Sequence, residues 1–229
     1  MPKFLSMLEQ KSLYFALVKE LGDSWEAVVA RGITEGLANF YGASDSDQMV
    51  QAFQLFPSHI GVNCWYQGIG ESVAMWSLYT SKGGYGVAIK SNVGRLKKSL
   101  DVSDQHVFLG QIFYEDHDVL PIEPLSPFDL HALRPLLQKR ACYKHECELR
   151  ALTFIKPTLP EDAQPGTVLR RPFPTHGVSV DIDLPSLIES VTLGPEFPEW
   201  AKALLKSAFA RTGINPPLVE SALLKPPPV

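Results

Sequence analysis

Apolar residues fall along this chain in short bursts, and the spacing inside each burst predicts its element. Phe4, Leu5 and Leu8 share one face of a helix over Lys3–Gln10. Ser12–Val18 (SLYFALV) is a short continuous apolar run, as a buried strand requires. Asp23 or Ser24 caps a helix with Glu26 in its first turn, running to Tyr41 and closed by Gly42. A second helix over Asp45–Leu55 is stopped by Pro57. A strand over His59–Tyr66, a helix over Ser72–Thr80, a strand over Tyr85–Lys90 and a helix over Asn92–Leu100 follow.

The second half is punctuated by proline. His106–Tyr114 alternates as a strand, and Asp116–Phe128, with three prolines, reads as a loop. Asp129–Lys144 reads as a helix with its basic residues gathered at the C-terminal end, where the helix dipole favours them. Cys147–Ile155 is a strand, and Lys156–His176, with five prolines, a long connection. A strand over Gly177–Ile182, a helical turn over Leu184–Glu189, a strand over Ser190–Leu193 and a helix over Glu199–Thr212 closed by Gly213 complete the pattern. Helices and strands interleave without a regular βαβ beat. The fold class expected is therefore α+β, with a mixed, mainly antiparallel sheet core and surrounding helices, or that core split into two small packed sheets. One domain over residues 1–213 would be followed by a proline-rich, PPII-like tail over 214–229.

Composition narrows the class. With 229 residues, 45% hydrophobic and 20% charged, the chain can bury a sizeable core. A net charge of −4 gives no overall basic field for nucleic acid. No apolar run approaches the roughly 18 residues of a membrane span, and the polar start MPKFLSMLEQKS does not read as a secretory signal. Three cysteines without disulfide spacing fit reduced thiols, so a cytoplasmic location and no membrane partner are expected.

Two segments could carry chemistry. Val62–Ser91 gathers Trp65, Glu71, Trp76 and Tyr79 around a glycine-bearing turn. Glu71, Met75 and Tyr79 repeat every fourth residue and stack on one helix side. They form either an aromatic pocket for a small molecule with Glu71 at its mouth, or a core helix whose N-terminus Glu71 stabilises. The second segment is Lys139–Arg140 followed by Glu146, Glu148 and Arg150. If Glu146 lies in the strand, these last three share one face by the period of two, with the carboxylates about 7 Å apart. Arg150 could then hold one carboxylate ionised while the other binds a hydroxyl or stabilises positive charge. The alternative is a surface ion-pair ladder to Lys139 or Arg140, each pair worth under about 1 kcal/mol. A nucleic-acid target would need Arg134, Lys139, Arg140 and Lys144 to form one exposed stripe. Cys64, Cys142, His145 and Cys147 match no zinc-knuckle spacing, so no metal is expected.

Several blocks in order resemble the bacterial family called domain of unknown function 2971: FLSMLEQKSLYFA, GDSWEA, VNCWYQGIGESVAMWSLY, GYGVAIKS, LLQKRACYKHECELRAL and VDIDLPSLIESVTLGPEFPEW. Two departures stand out. Members usually begin with a short strand ahead of the first helix, where this chain starts almost at the helix, and they commonly carry proline where this chain has Ser24. The resemblance implies a bacterial or mobile-element protein, in some members tied to phage conflict. Its layout is distantly similar to the ADP-ribosyltransferase fold, which binds NAD between two sheets and carries a Glu-x-Glu pair on a late strand. By that analogy Glu148 would stabilise the oxocarbenium-like ribose and bind its 2′-hydroxyl. Glu146 would orient or deprotonate the acceptor, and Trp65, Trp76 and Tyr79 would wall the nicotinamide pocket. The implied activity is an NAD-using transferase acting as an effector or phage-defence toxin, with NAD as substrate. The alternative is a non-catalytic module that binds a small ligand or a protein.

Overall fold

A computed structural model describes residues 1–23, 58–80, 85–115, 133, 136–155 and 176–223. The helices expected over 23–41 and 45–55 and the connections over 116–128 and 156–176 lie outside these residues, apart from Asp23 and His176.

The fold is α+β, with a five-stranded antiparallel sheet and smaller sheets. Helix α1 (Pro2–Gln10) begins on a proline, whose fixed φ suits a first helical position. Strands β1 (Ser12–Leu17) and β2 (Ile60–Tyr66) follow. Helix α2 (Val73–Tyr79) is capped by Ser72 Oγ, which accepts from Met75 N at 3.3 Å. After β3 (Val87–Lys90), helix α3 (Val93–Leu100) is capped in the same way by Asn92. Strands β4 (Val107–Gln111), β5 (Phe113–Tyr114) and β6 (Gln138–Lys139) lead to a 3₁₀ helix over Ala141–Glu146 and to β7 (Glu148–Phe154). Then come β8 (Val178–Asp181), α4 (Leu184–Leu187), β9 (Ser190–Leu193), α5 (Glu199–Thr212) and β10 (Leu218–Glu220). Gly213 closes α5 with φ 73°, a conformation glycine takes without a side-chain clash.

Three expectations need correction. The described part of the helix expected over Asp129–Lys144 is strand β6 and a 3₁₀ helix, because Arg140 between them is extended and Lys139 is drawn to Glu148 on β7. The strand expected over His106–Tyr114 divides at Ile112, whose amide turns to donate to Glu148 O at 3.0 Å. Within the proline-rich tail, Leu218–Glu220 pairs in parallel with β9, and Pro217 O accepts from Val191 N at 2.9 Å.

The chain divides into two compact units, one of residues 1–14, 68–104 and 179–229, the other of 15–67 and 105–178. In the first, α1 packs on α5 through an edge-to-face contact of Phe4 and Phe209 at 6.2 Å between ring centroids. Arg95 reaches from α3 to the carbonyls of Pro185, Leu187 and Ile188, satisfying the C-terminal end of α4. Strands lie in the order β10–β9–β3. In the second unit β7 runs between β2 and β4, with Tyr66 opposite Glu148 and Cys64 opposite Arg150. Val18, Ile60, Val62, Leu133, Leu136 and Leu152 form its apolar core. The 136–139 segment lies so close to β4 that a Cβ on Gly110 would come within 2.6 Å of Leu137. Among the described residues no helix is long and apolar enough to cross a membrane.

Candidate functional site: a buried ion quartet at the head of β7

Alternation along β7 sends Glu148 and Arg150 to the same face as Leu152 of the core. Arg150 has no exposed surface, Glu148 is 3% exposed and Lys139 8%. Arg150 Nε donates to Glu148 Oε1 at 2.6 Å and its Nη2 to Oε2 at 3.3 Å, while Nη1 donates to the Leu136 carbonyl at 2.8 Å. Lys139 Nζ donates to Glu148 Oε2 at 3.2 Å and to Glu146 Oε2 at 2.7 Å. The two cations and two carboxylates sum to zero formal charge, the condition under which buried ions are tolerated.

Glu146 does not lie in the strand. It ends the 3₁₀ helix, and Cys147, at φ 40° in the left-handed region, turns the chain between the two glutamates. The side chains still converge, because Lys139 reaches both. Lys139 Nζ also stands 4.9 Å from the centre of the Tyr143 ring, and Arg140 covers that ring at 5.5 Å. Arg140 is spent on Asp23, with contacts of 2.9 and 3.2 Å. The basic stripe that a nucleic-acid target would require is thus interrupted: Lys139 is buried and Arg140 paired, and Arg134 lies outside the described residues.

Burial alone would push the Glu148 carboxyl up. The hydrogen bonds and charge of Arg150, a hydrogen bond from the Cys64 thiol and the charge of Lys139 outweigh it, so Glu148 lies below the usual carboxylate range. Burial raises the Tyr114 phenol, with a partial offset from the Glu148 amide, which donates to Tyr114 Oη at 2.7 Å. A carboxylate offers about four lone-pair sites. Arg150 fills two, Lys139 one and Cys64 another.

Trp65, expected to wall this site, does not join the group. Trp65 pairs with Leu149, so alternation puts it on the sheet face opposite Glu148 and Arg150. Among the described residues its buried Nε1 has no hydrogen-bond partner, and neither polar atom of the buried Gln138 amide has one. Glu71, Trp76 and Tyr79 belong to the other unit. Glu71 there ties two elements together: Oε2 accepts from Trp76 Nε1 at 3.1 Å and Oε1 from the Ala222 amide at 2.8 Å. Helix α2 buries none of its residues, and Tyr79 is well exposed. The same unit has an open hollow of about 270 Å³ lined by Phe197, Glu199, Lys202 and Glu220 among others, with Lys202 bridging both carboxylates.

Tyr114 and Cys64 are the participants that sequence reasoning missed. Neither carried a signal, since each reaches Glu148 only through strand pairing that the letters do not show. Among the described residues no group of three or more His, Cys, Asp or Glu side chains could hold a metal ion. Compared with models of known families, with curated proteins and with solved structures, the chain finds no match.

Proposed function

We propose that this chain is a non-catalytic binding module in which the Glu146, Glu148, Lys139 and Arg150 quartet is structural. One observation carries the reading: the Glu148 carboxylate is buried and its acceptor sites are filled by Arg150, Lys139 and Cys64. A ribose 2′-hydroxyl would have to displace one of these donors and leave it buried without a partner, at a cost of about 1–3 kcal/mol or more for a charged group. The binding surface in this reading is α2 with the segment before it, where Ile69, Val73, Leu78 and Tyr79 are all exposed. Exposed apolar side chains of that kind support contact with another protein.

An NAD-using transferase is the second reading, and one observation favours it. The Glu-x-Glu pair meets at one lysine, and among the described residues Glu146 is held by that donor alone, leaving one carboxylate oxygen uncommitted. Membership of the domain of unknown function 2971 family is likewise proposed, on the sequence blocks alone.

Incubation with labelled NAD and a cell extract separates the two readings. The module reading expects neither NAD turnover nor label transfer from the wild type. Turnover that Glu146→Gln or Glu148→Gln abolishes would sink it.

A further inference from the structure

Helix α2 lacks the packing that a helix of its length needs. It is seven residues long and buries none of them. Isolated helices that short are marginal in water, and in folded proteins the packing of an apolar face supplies the missing stability. Val73, Trp76 and Tyr79 follow one another at three-residue spacing and form an apolar ridge along α2. Val73 is 64% exposed and Tyr79 69%.

The tail of the same chain is held at the foot of this ridge. One carboxylate makes the link: Glu71 Oε2 accepts from Trp76 Nε1 at 3.1 Å, and Oε1 accepts from the Ala222 amide at 2.8 Å. The next amide, that of Leu223, donates to Ser221 Oγ at 3.2 Å. Leu224, Lys225, three prolines and Val229 follow, outside the described residues.

We infer that residues 224–228 lie along α2 of their own chain as a PPII segment and cover the Val73, Trp76 and Tyr79 ridge. This rests on the binding-module reading and names the resident occupant of its surface, which a partner protein has to displace. Three arguments select the tail. The first is reach: the ridge rises about 9 Å from Val73 to Tyr79 at 1.5 Å per residue. Five PPII residues extend about 15 Å, from an anchor already beside Trp76. The second is chemistry, since proline-rich segments are extended before they bind and dock on aromatic side chains at low entropic cost. The third is charge: Glu71 is the one charged side chain of residues 71–80, Lys225 the one of residues 221–229, and their signs are opposite.

Hydrogen exchange of the full chain, read by mass spectrometry, tests the inference. The variant carries Lys225→Glu with Pro226→Ser, Pro227→Ser and Pro228→Ser. Amides of α2 exchange at least about tenfold faster in this variant than in the wild type, while those of α5 keep their rates. Unchanged exchange in α2 overturns the inference. So does a rise shared equally by α5, because the tail would then support the whole unit and not this ridge. Wild-type protection of α2 that grows with protein concentration also overturns it, since the covering tail would come from a second copy. None of these results touches the non-catalytic reading, which only NAD turnover sinks.

Discussion

Glu148→Ala is the substitution that best exposes what the quartet does. It removes both of its contacts to Arg150, at 2.6 and 3.3 Å, and its contact to Lys139 at 3.2 Å. Lys139 keeps Glu146 and Arg150 keeps the Leu136 carbonyl, but its guanidinium has no exposed surface through which water could replace the carboxylate. Removing one partner of a buried pair in this way costs about 3–5 kcal/mol. With a urea dependence of about 2 kcal/mol per molar, the unfolding midpoint falls by about 2 M. Glu148→Gln keeps the shape and one acceptor and falls between this variant and the wild type. Urea titration followed by tryptophan fluorescence provides the assay. A surface ion-pair ladder would lose under about 1 kcal/mol on the same change. A Glu148→Ala protein within that margin of the wild type would refute the buried-quartet argument.

Other consequences follow from the same geometry. Glu148 sits below the usual carboxylate range when folded, so the unfolded chain binds its proton more tightly. Its contribution to stability is complete above the unfolded value of about 4.3 and drains away as pH falls toward the depressed folded value. Stability measured between pH 6 and 3 drops less steeply in Glu148→Gln than in the wild type. Gly177→Ala puts a Cβ 2.8 Å from Ala16 Cα and closer still to the Phe15 carbonyl oxygen. Backbone cannot yield there as a side chain can, so thermal denaturation registers a loss of about 2–3 kcal/mol. Glu71→Ala frees the Ala222 amide and the Trp76 indole at an exposed site, costing about 1 kcal/mol or less. Its readout is faster hydrogen exchange at Ala222 with little change in global stability.

Much of the architecture could be read from the letters because burial imposes a period. The apolar run of β7, the serine before α2, the asparagine before α3 and the glycine after α5 each fall where the structure uses them. The region around the quartet was opaque for a local reason. The basic run from Lys139 to Lys144 looks like the C-terminal end of a helix, yet Lys139 is a strand residue whose ammonium is neutralised by carboxylates seven and nine positions later. The convergence of Glu146 and Glu148 is visible as spacing, but its cause is not, since it depends on Cys147 adopting a left-handed conformation. That Trp65 and Glu148 sit on opposite faces follows from alternation only once Tyr66 is known to lie opposite Glu148. Pairing register is long-range information, and one sequence does not contain it in readable form.

The central claim is that the carboxylates and cations of the quartet exist for one another. A double-mutant cycle over Glu148→Leu and Arg150→Met measures this directly, through the unfolding free energies of the wild type, both single variants and the pair. Each single substitution leaves a buried partner uncompensated and costs about 3–5 kcal/mol, whereas replacing both removes the uncompensated charge and is close to neutral. A double variant restored to within about 1 kcal/mol of the wild type is the predicted result. A double variant as unstable as the two single losses summed would contradict it, because the two side chains would then be acting independently.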